Sequence, residues 1–401
     1  MMTQPAATLA TSDPAAPVLA RARDIVDDLA MGAVKRWKEA NPGALAIGHM
    51  PIYAPRPLVE ALGCLPVGVY GAGDQLEIIR GDSYFQSYIC HIPRSTIELA
   101  LSGRLDSLDG MLFPAICDVI RNLGGMWQVL FPNKYAAYVD VPQNFDMRLG
   151  GQFYAEELRR IAHELEARGA KKLTPESMQK AIADENARRE ALTELDQLRS
   201  EAPWLARASE AYLIVRAGLM MTASEHEKMV REFTAAAKKR KLAPYDNVRV
   251  VVVGSFCEQP PFDLIVALEK AGCDVVDDDF QLGLRYLDGP IDIAPGEDGC
   301  TALARAYIER GARTASRYIG DETKGEALVK KVRQLRADGV VFAAASFCDP
   351  ALLDQPMLET ACETAGVPFT SFKYAENTGQ FQVSREQAGA FSDSVKLWGA
   401  A

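Results

Sequence analysis

The same order of local signals occurs twice in this chain, and that repetition constrains the fold more than any single motif. Leu45-Ala46-Ile47-Gly48 is a short apolar run, followed by a turn carrying Pro55-Arg56-Pro57, a helix LVEALGC stopped at Gly63, and a second apolar run, LPVGVYG. The order returns at RVVVVG, from Arg249 to Gly254. A turn with Pro260-Pro261 comes next, then the helix FDLIVALEKAGC stopped at Gly272, then DVVDDD. Strand, proline-bearing turn, helix, glycine stop and strand make a βαβ unit, with glycine supplying the left-handed helix end. The echo continues downstream, where DGMLF at 109–113 leads into PAICD and DGVVF at 338–342 leads into AAASFCD. Both runs predict short buried strands that deliver a Cys-Asp pair beyond their carboxyl ends, the edge where open parallel sheets gather ligands. The fold class is therefore α/β: two flavodoxin-like (Rossmann-like) parallel-sheet domains from an internal duplication, with an intervening helical segment.

The 401 residues divide accordingly. Residues 1–18, rich in Ala, Pro and Thr, read as a disordered tail. Residues 19–150 hold an N-terminal helix and the first α/β domain, with Cys90 and Cys117. Residues 151–243, rich in Ala, Glu, Lys, Arg and Leu, form a helical segment beside or between the halves and are expected to be solvated. Thr174-Pro175-Glu176 marks a helix start there, and Lys238-Lys239-Arg240-Lys241 a solvated helix end. Residues 244–401 form the second α/β domain, with Cys348. The 44 basic residues against 54 acidic ones give a net charge of -10, which disfavours a nucleic-acid coat. No apolar run reaches the ~20 residues that span a bilayer. The first residues lack a basic n-region and a long apolar core, so no export signal is read and a cytoplasmic location is expected.

The eight cysteines then need explaining as thiols rather than disulfides. No CxxC pair occurs, which disfavours zinc ribbons, thioredoxin-like sites and ferredoxin-type loops. Cysteines at the ends of separate parallel strands still converge in space. Cys90 opens a helix, HIPRSTIELALS, after the aromatic-rich GDSYFQSY; Cys117 and Cys348 hold equivalent posts after their strands. Helix-end amides favour a thiolate or an anionic cluster, and three thiolates around one cavity suit a [4Fe–4S] cluster with its fourth iron open to another ligand. The alternative for each is a buried cysteine acting as a small apolar side chain. That is the expected state of Cys64, Cys273 and Cys362, while Cys300 is expected to be exposed. Cys257, in the turn SFCEQPP, is either an extra ligand or pocket wall. Asp118, Arg121, Glu258 and Asp349 adjoin these cysteines, as second-shell hydrogen-bonding groups, substrate contacts or helix caps. Tyr84, Phe85, Tyr88 and Trp127 either line a dry pocket or pack in the core. No GxxxxGK[ST] loop, complete dinucleotide fingerprint, HExxH or GxSxG is present, so the chain itself shows no ATP, NAD, zinc-hydrolase or serine-hydrolase site.

The stretches GDQLEIIRGDSYFQSYICHIPRSTIELALS, DGMLFPAICDVIRNLGGMW, VVVGSFCEQPP, DDDF and SFCDP resemble the 2-hydroxyacyl-CoA dehydratase and benzoyl-CoA reductase superfamily. Within it, the chain is similar to the smaller of the iron–sulfur subunits, the C or gamma type, of ATP-dependent (class I) benzoyl-CoA reductases. The resemblance covers about residues 40–390. It implies that Cys90, Cys117 and Cys348 bind a [4Fe–4S] cluster. It also implies that the chain pairs with a homologous iron–sulfur subunit (B type), with the thioester substrate between them. ATPase/activator subunits (A and D type) would use ATP and Mg to drive electrons from reduced ferredoxin. The implied reaction is the two-electron, dearomatising reduction of benzoyl-CoA to cyclohexa-1,5-diene-1-carbonyl-CoA in anaerobic aromatic degradation. Three other readings stand beside it: a 2-hydroxyacyl-CoA dehydratase subunit working through a ketyl radical, a related ATP-dependent reductase with a double-cubane cluster, and a cluster-free scaffold subunit.

Overall fold

The computed structural model describes residues 13–256, 260–280, 282–317, 322–375 and 381–398. Two helices, α1 (Ala16–Val26) and α2 (Gly32–Ala40), precede β1 (Ala46–His49), α3 (Arg56–Ala61), β2 (Leu65–Gly68), α4 (His91–Leu101), β3 (Gly110–Pro114), α5 (Asp118–Leu130) and β4 (Tyr135–Val139). Four helices follow: α6 (Gln152–Glu166), α7 (Pro175–Glu201), α8 (Ala208–Ala217) and α9 (Ala223–Ala237). The second half contains β5 (Val248–Val253), α10 (Phe262–Lys270), β6 (Cys273–Asp278), α11 (Leu282–Arg285), α12 (Gly299–Arg310), α13 (Lys324–Gln334), β7 (Gly339–Ala345), α14 (Asp349–Ala365), β8 (Phe369–Tyr374) and α15 (Gln382–Trp398).

Each half builds one four-stranded sheet, and the strand orders match: β2-β1-β3-β4 and β6-β5-β7-β8. Every pairing within them is parallel. Such sheets are covered on both faces, so their strands read as apolar runs rather than as alternation. β1, β3 and β7 are buried along their whole length. Gly63 and Gly272, one residue past the caps of α3 and α10, have φ of 71° and 81° and turn the chain back towards the next strand. The duplicated grammar is thus a duplicated topology. In each sheet the direction of travel reverses between the first and third strands, and that crevice lies at the carboxyl ends. Among the described residues no helix is long and apolar enough to cross a membrane.

The segment between the halves differs from expectation. Helix α7 starts at the Thr174 cap with Pro175 in its first turn, as the sequence indicates. It is not a solvated insert: it packs against α3 of the first half, β6 of the second, and α9. Its buried charges are paired, Arg188 with Glu185 and Arg199 with Asp278. Helix α1 begins at Ala16, inside the stretch read as tail. It packs on α8 and α9 rather than on the first sheet, burying Ala15, Val18, Ala22 and Val26. Arg240 anchors this corner by pairing with Asp13 at 2.7 Å and Glu210 at 2.6 Å, so one cation of the basic run is buried rather than solvated.

Candidate functional site

All three singled-out cysteines occupy the residue immediately before a helix. Cys90 precedes α4, Cys117 precedes α5, and Cys348 precedes α14. Cys117 lies three residues beyond β3 and Cys348 three residues beyond β7. The cap position therefore belongs to sulfur. Asp118 and Asp349 fall one residue later, exposed in the first turn, where a carboxylate suits the positive end of the helix. Neither aspartate is the cap itself, because chain reversal beyond each strand takes three residues and places the cysteine there.

Cys117 and Cys348 hold corresponding posts, each capping the helix that follows its strand. Burial pushes the Cys117 thiol up, the backbone N–H groups of Ile120 and Val119 pull it down, and the charge of Cys348 pushes it up again. Cys90 does not complete a closed triad: among the described residues no three His, Cys, Asp or Glu side chains are grouped to hold a metal ion. The donor types and the helix-end amides fit a cluster with three thiolate ligands; the spacing does not gather all three around one point. Cys257 and Glu258 lie outside the described residues.

The aromatic residues separate. Trp127 is 1% exposed and packs with Phe113 (5.8 Å between ring centres) and Phe131 (4.6 Å) behind β3. Tyr88 is 62% exposed and Tyr84 is 40% exposed, so they do not form one dry wall with Trp127. The sheet-facing side of α5 must bury its largest side chain, which takes Trp127 into the core. Arg121 stacks over the Tyr138 ring at 5.5 Å on the outer side of the same helix.

A residue with no sequence signal shapes the Cys90 approach. The Glu98 carboxylate accepts the N–H groups of Ile79, Arg80 and Gly81 at 2.9, 2.6 and 2.9 Å, tying the loop before Cys90 to α4. Burial opposes its ionisation, but the amides of Gly81, Ile79 and Arg80 outweigh it and hold the carboxyl below the ordinary glutamate range. The DDD run also divides its work, with Asp277 facing Lys331 at 2.7 Å and Asp278 facing Arg199 and Arg285. Of the remaining cysteines, Cys64, Cys273 and Cys362 are buried, their thiols pushed by burial to about 12, 12 and 11. Cys300 corrects the expectation of exposure. It is 2% exposed on the inner side of α12, with its thiol pushed to about 11, also by burial.

The chain belongs to the 2-hydroxyglutaryl-CoA dehydratase D-component family, whose model matches residues 51–395. It is 47% identical over 384 residues to the C-type chain of benzoyl-CoA reductase from Thauera aromatica, covering 96% of this chain and 99% of that one. It is 28% identical over 380 residues to the (R)-phenyllactyl-CoA dehydratase beta subunit of Clostridium sporogenes, covering 93% and 97% of the two chains. Identity to the (R)-2-hydroxyglutaryl-CoA dehydratase beta subunit of Acidaminococcus fermentans is 27% over 361 residues, 88% of this chain and 93% of that one.

Proposed function

We propose that this chain is the iron–sulfur subunit of a benzoyl-CoA reductase, an oxidoreductase that works only as part of a multi-subunit complex. The observation that carries the reading is the 47% identity to a benzoyl-CoA reductase chain across 96% of the sequence, against 28% for the dehydratase relative. Cys90, Cys117 and Cys348 would hold a [4Fe–4S] cluster, with Cys257 either a further donor or part of the pocket wall. Such a cluster supplies electrons one at a time at low potential. The chain's own contribution is local. Helix-end amides at Cys117 stabilise thiolate charge, and Asp118 and Asp349 lie beside the two thiols as hydrogen-bonding groups. The edge shared by the two sheets, closed by a partner, keeps water from a strong reductant. Glu98 holds the loop carrying Tyr84 and Tyr88, and those exposed rings suit contact with a second subunit or an aromatic thioester.

The partners are those that kinship with a benzoyl-CoA reductase subunit implies. ATP and Mg act in ATPase subunits of A and D type, in keeping with a sequence that holds no phosphate-cradling loop. A homologous B-type subunit faces the thiol edge, reduced ferredoxin is the donor, and the complex is cytoplasmic. The test is iron, sulfide and EPR on the complex co-expressed anaerobically, with Cys90→Ser, Cys117→Ser and Cys348→Ser beside a Cys64→Ser control. About four irons per chain should be lost in the three variants and kept in the control; iron unchanged in all four overturns the ligand set. Two electrons consumed per benzoyl-CoA support the reductase, and redox-neutral turnover of a 2-hydroxyacyl-CoA supports the dehydratase instead.

A further inference from the structure

The carboxyl edge of the second sheet is sewn together by a chain of hydrogen bonds that ends at the Cys348 turn. Asp279, the first residue beyond β6, accepts the N–H of Gly254 on one carboxylate oxygen at 2.7 Å and the N–H of Ser255 on the other at 2.9 Å. The Ser255 hydroxyl donates to the Ala343 carbonyl of β7 at 2.7 Å, and the Tyr374 hydroxyl of β8 donates to Ser255 Oγ at 3.1 Å. The Tyr374 carbonyl accepts the N–H of Ser346 at 2.7 Å, two residues before Cys348. All four strands are tied in this way. Gly254 is required by the closeness of the contact: its φ is 118°, and a Cβ there would sit 3.0 Å from the Ala343 carbonyl oxygen.

The turn itself is strained. Phe347 has φ of 67°, a left-handed conformation that strains a bulky side chain, and it is 49% exposed. Within the turn, the Cys348 N–H donates to the Ala345 carbonyl at 3.0 Å. Strain of this kind persists where surrounding structure over-determines it. The neighbouring acids are committed elsewhere, Asp277 to Lys331 and Asp278 to Arg199 and Arg285, which leaves Asp279 for the amides.

We infer that Asp279, acting through Ser255 and Tyr374, is a positioning residue for Cys348, fixing the turn that carries its sulfur. Its meaning for catalysis rests on the cluster reading above, but its test does not. Cys348 is 3% exposed, so alkylation of its thiol in the iron-free full-length chain reports opening of the turn. Rates with iodoacetamide would be read by peptide mass spectrometry for Asp279→Asn, Asp279→Glu, Ser255→Ala and the neighbouring control Asp277→Asn. Loss of one charge-assisted hydrogen bond should speed Cys348 alkylation about tenfold in Asp279→Asn. Ser255→Ala should move the same way, with partial rescue in Asp279→Glu and Cys117 unchanged throughout. In the loaded complex the EPR line shape should shift in the same variants and not in Asp277→Asn. Cys348 rates equal to wild type in both Asp279→Asn and Ser255→Ala overturn the assignment. Loss of the cooperative unfolding transition overturns it too, because Asp279 would then hold the fold rather than the turn. Iron retained in Cys348→Ser would sink the cluster reading and leave the alkylation result standing.

Discussion

The two halves share a strand order but secure the turn after their central strand by different chemistry. In the first half that turn is sealed from both sides by neutral groups and one buried cation. Tyr53, at φ of 66°, is 1% exposed and hydrogen-bonds through its hydroxyl to Thr314 and Ser316 of the other half. Tyr70, just past β2, donates its hydroxyl to the Pro51 carbonyl at 2.9 Å. In the second half Asp279, the first residue past the second strand, takes the corresponding part, and a carboxylate grips two amides. The first turn is thus fixed as part of the junction between halves, and the second as part of a sheet edge. The thiols differ in the same sense: Cys348 is buried while Cys117 is half-buried. The duplicated scaffold keeps one topology while its two edges are secured differently, one by hydroxyls at the junction and the other by a carboxylate on two amides.

The sharpest way to break this contrast is at Arg56. Its buried guanidinium donates to the carbonyls of Pro66 at 3.2 Å, Gly218 at 3.2 Å and Met221 at 2.9 Å, and to Nε2 of His49 at 3.1 Å. His49 is thereby kept neutral, its pKa pushed down to about 3 by burial and then by the Arg56 charge. Arg56→Ala strands two buried carbonyls and one half-buried one, and should cost about 3–5 kcal/mol in denaturant unfolding. A loss below about 1 kcal/mol, the range of an exposed contact, would show that the first half is not locked to the helical segment through this residue.

A smaller effect concerns pH. Glu60 on α3 accepts the Ala223 N–H at 2.9 Å, and burial pushes its carboxyl up to about 7 despite the nearby Arg56. Burial likewise raises Asp279 to about 7, against the pull of its two amides. Both folded values lie above those of the unfolded chain, so folding takes up protons between about pH 4 and 7. The contribution is full below about pH 4, is lost as pH rises through 7, and stays lost above it. Glu60→Gln should shrink the stability lost across that interval by about 3 kcal/mol, measured as unfolding free energy at its two ends. An unchanged loss would leave Asp279 as its source, and with it the second half.

The parts legible in the sequence are those set by local chemistry. Buried parallel strands are unbroken apolar runs, and a helix stop at positive φ is a glycine, so LVEALG and FDLIVALEKAG declare themselves. The posts of Cys117 and Cys348 follow from the same reasoning, since a fixed count beyond a strand sets where a side chain points. What stayed hidden depends on partners distant in sequence. Trp127 and Tyr88 are both aromatic, and only the packing of α5 on β3 sends one inward while the other stays out. Cys300 follows a Gly-rich loop, yet α12 turns it inside. The division of Asp277, Asp278 and Asp279 depends on the register shift between Val250 and Val251, which re-phases β6 against β5. Glu98 carries no motif at all; its three amides arrive from a loop seventeen to nineteen residues earlier.

The finest test of the duplication compares the two helix stops. Gly63 at φ of 71° and Gly272 at φ of 81° hold the same position after α3 and α10, where any L-residue is strained. Their surroundings differ little: a Cβ at Gly63 would meet the flexible Lys171 side chain at 2.7 Å, and one at Gly272 would meet Ser392 Oγ at 3.2 Å. The lysine swings aside at small cost, so the backbone term should dominate in both. Gly63→Ala and Gly272→Ala should each lose about 1 kcal/mol, equal within about 0.5 kcal/mol because the sites are distant and independent. Equal losses in thermal unfolding would mean that the halves use one backbone device for the crossover and diverge only at the carboxyl edge. A loss confined to one glycine would mean that the divergence reaches the helix stop as well.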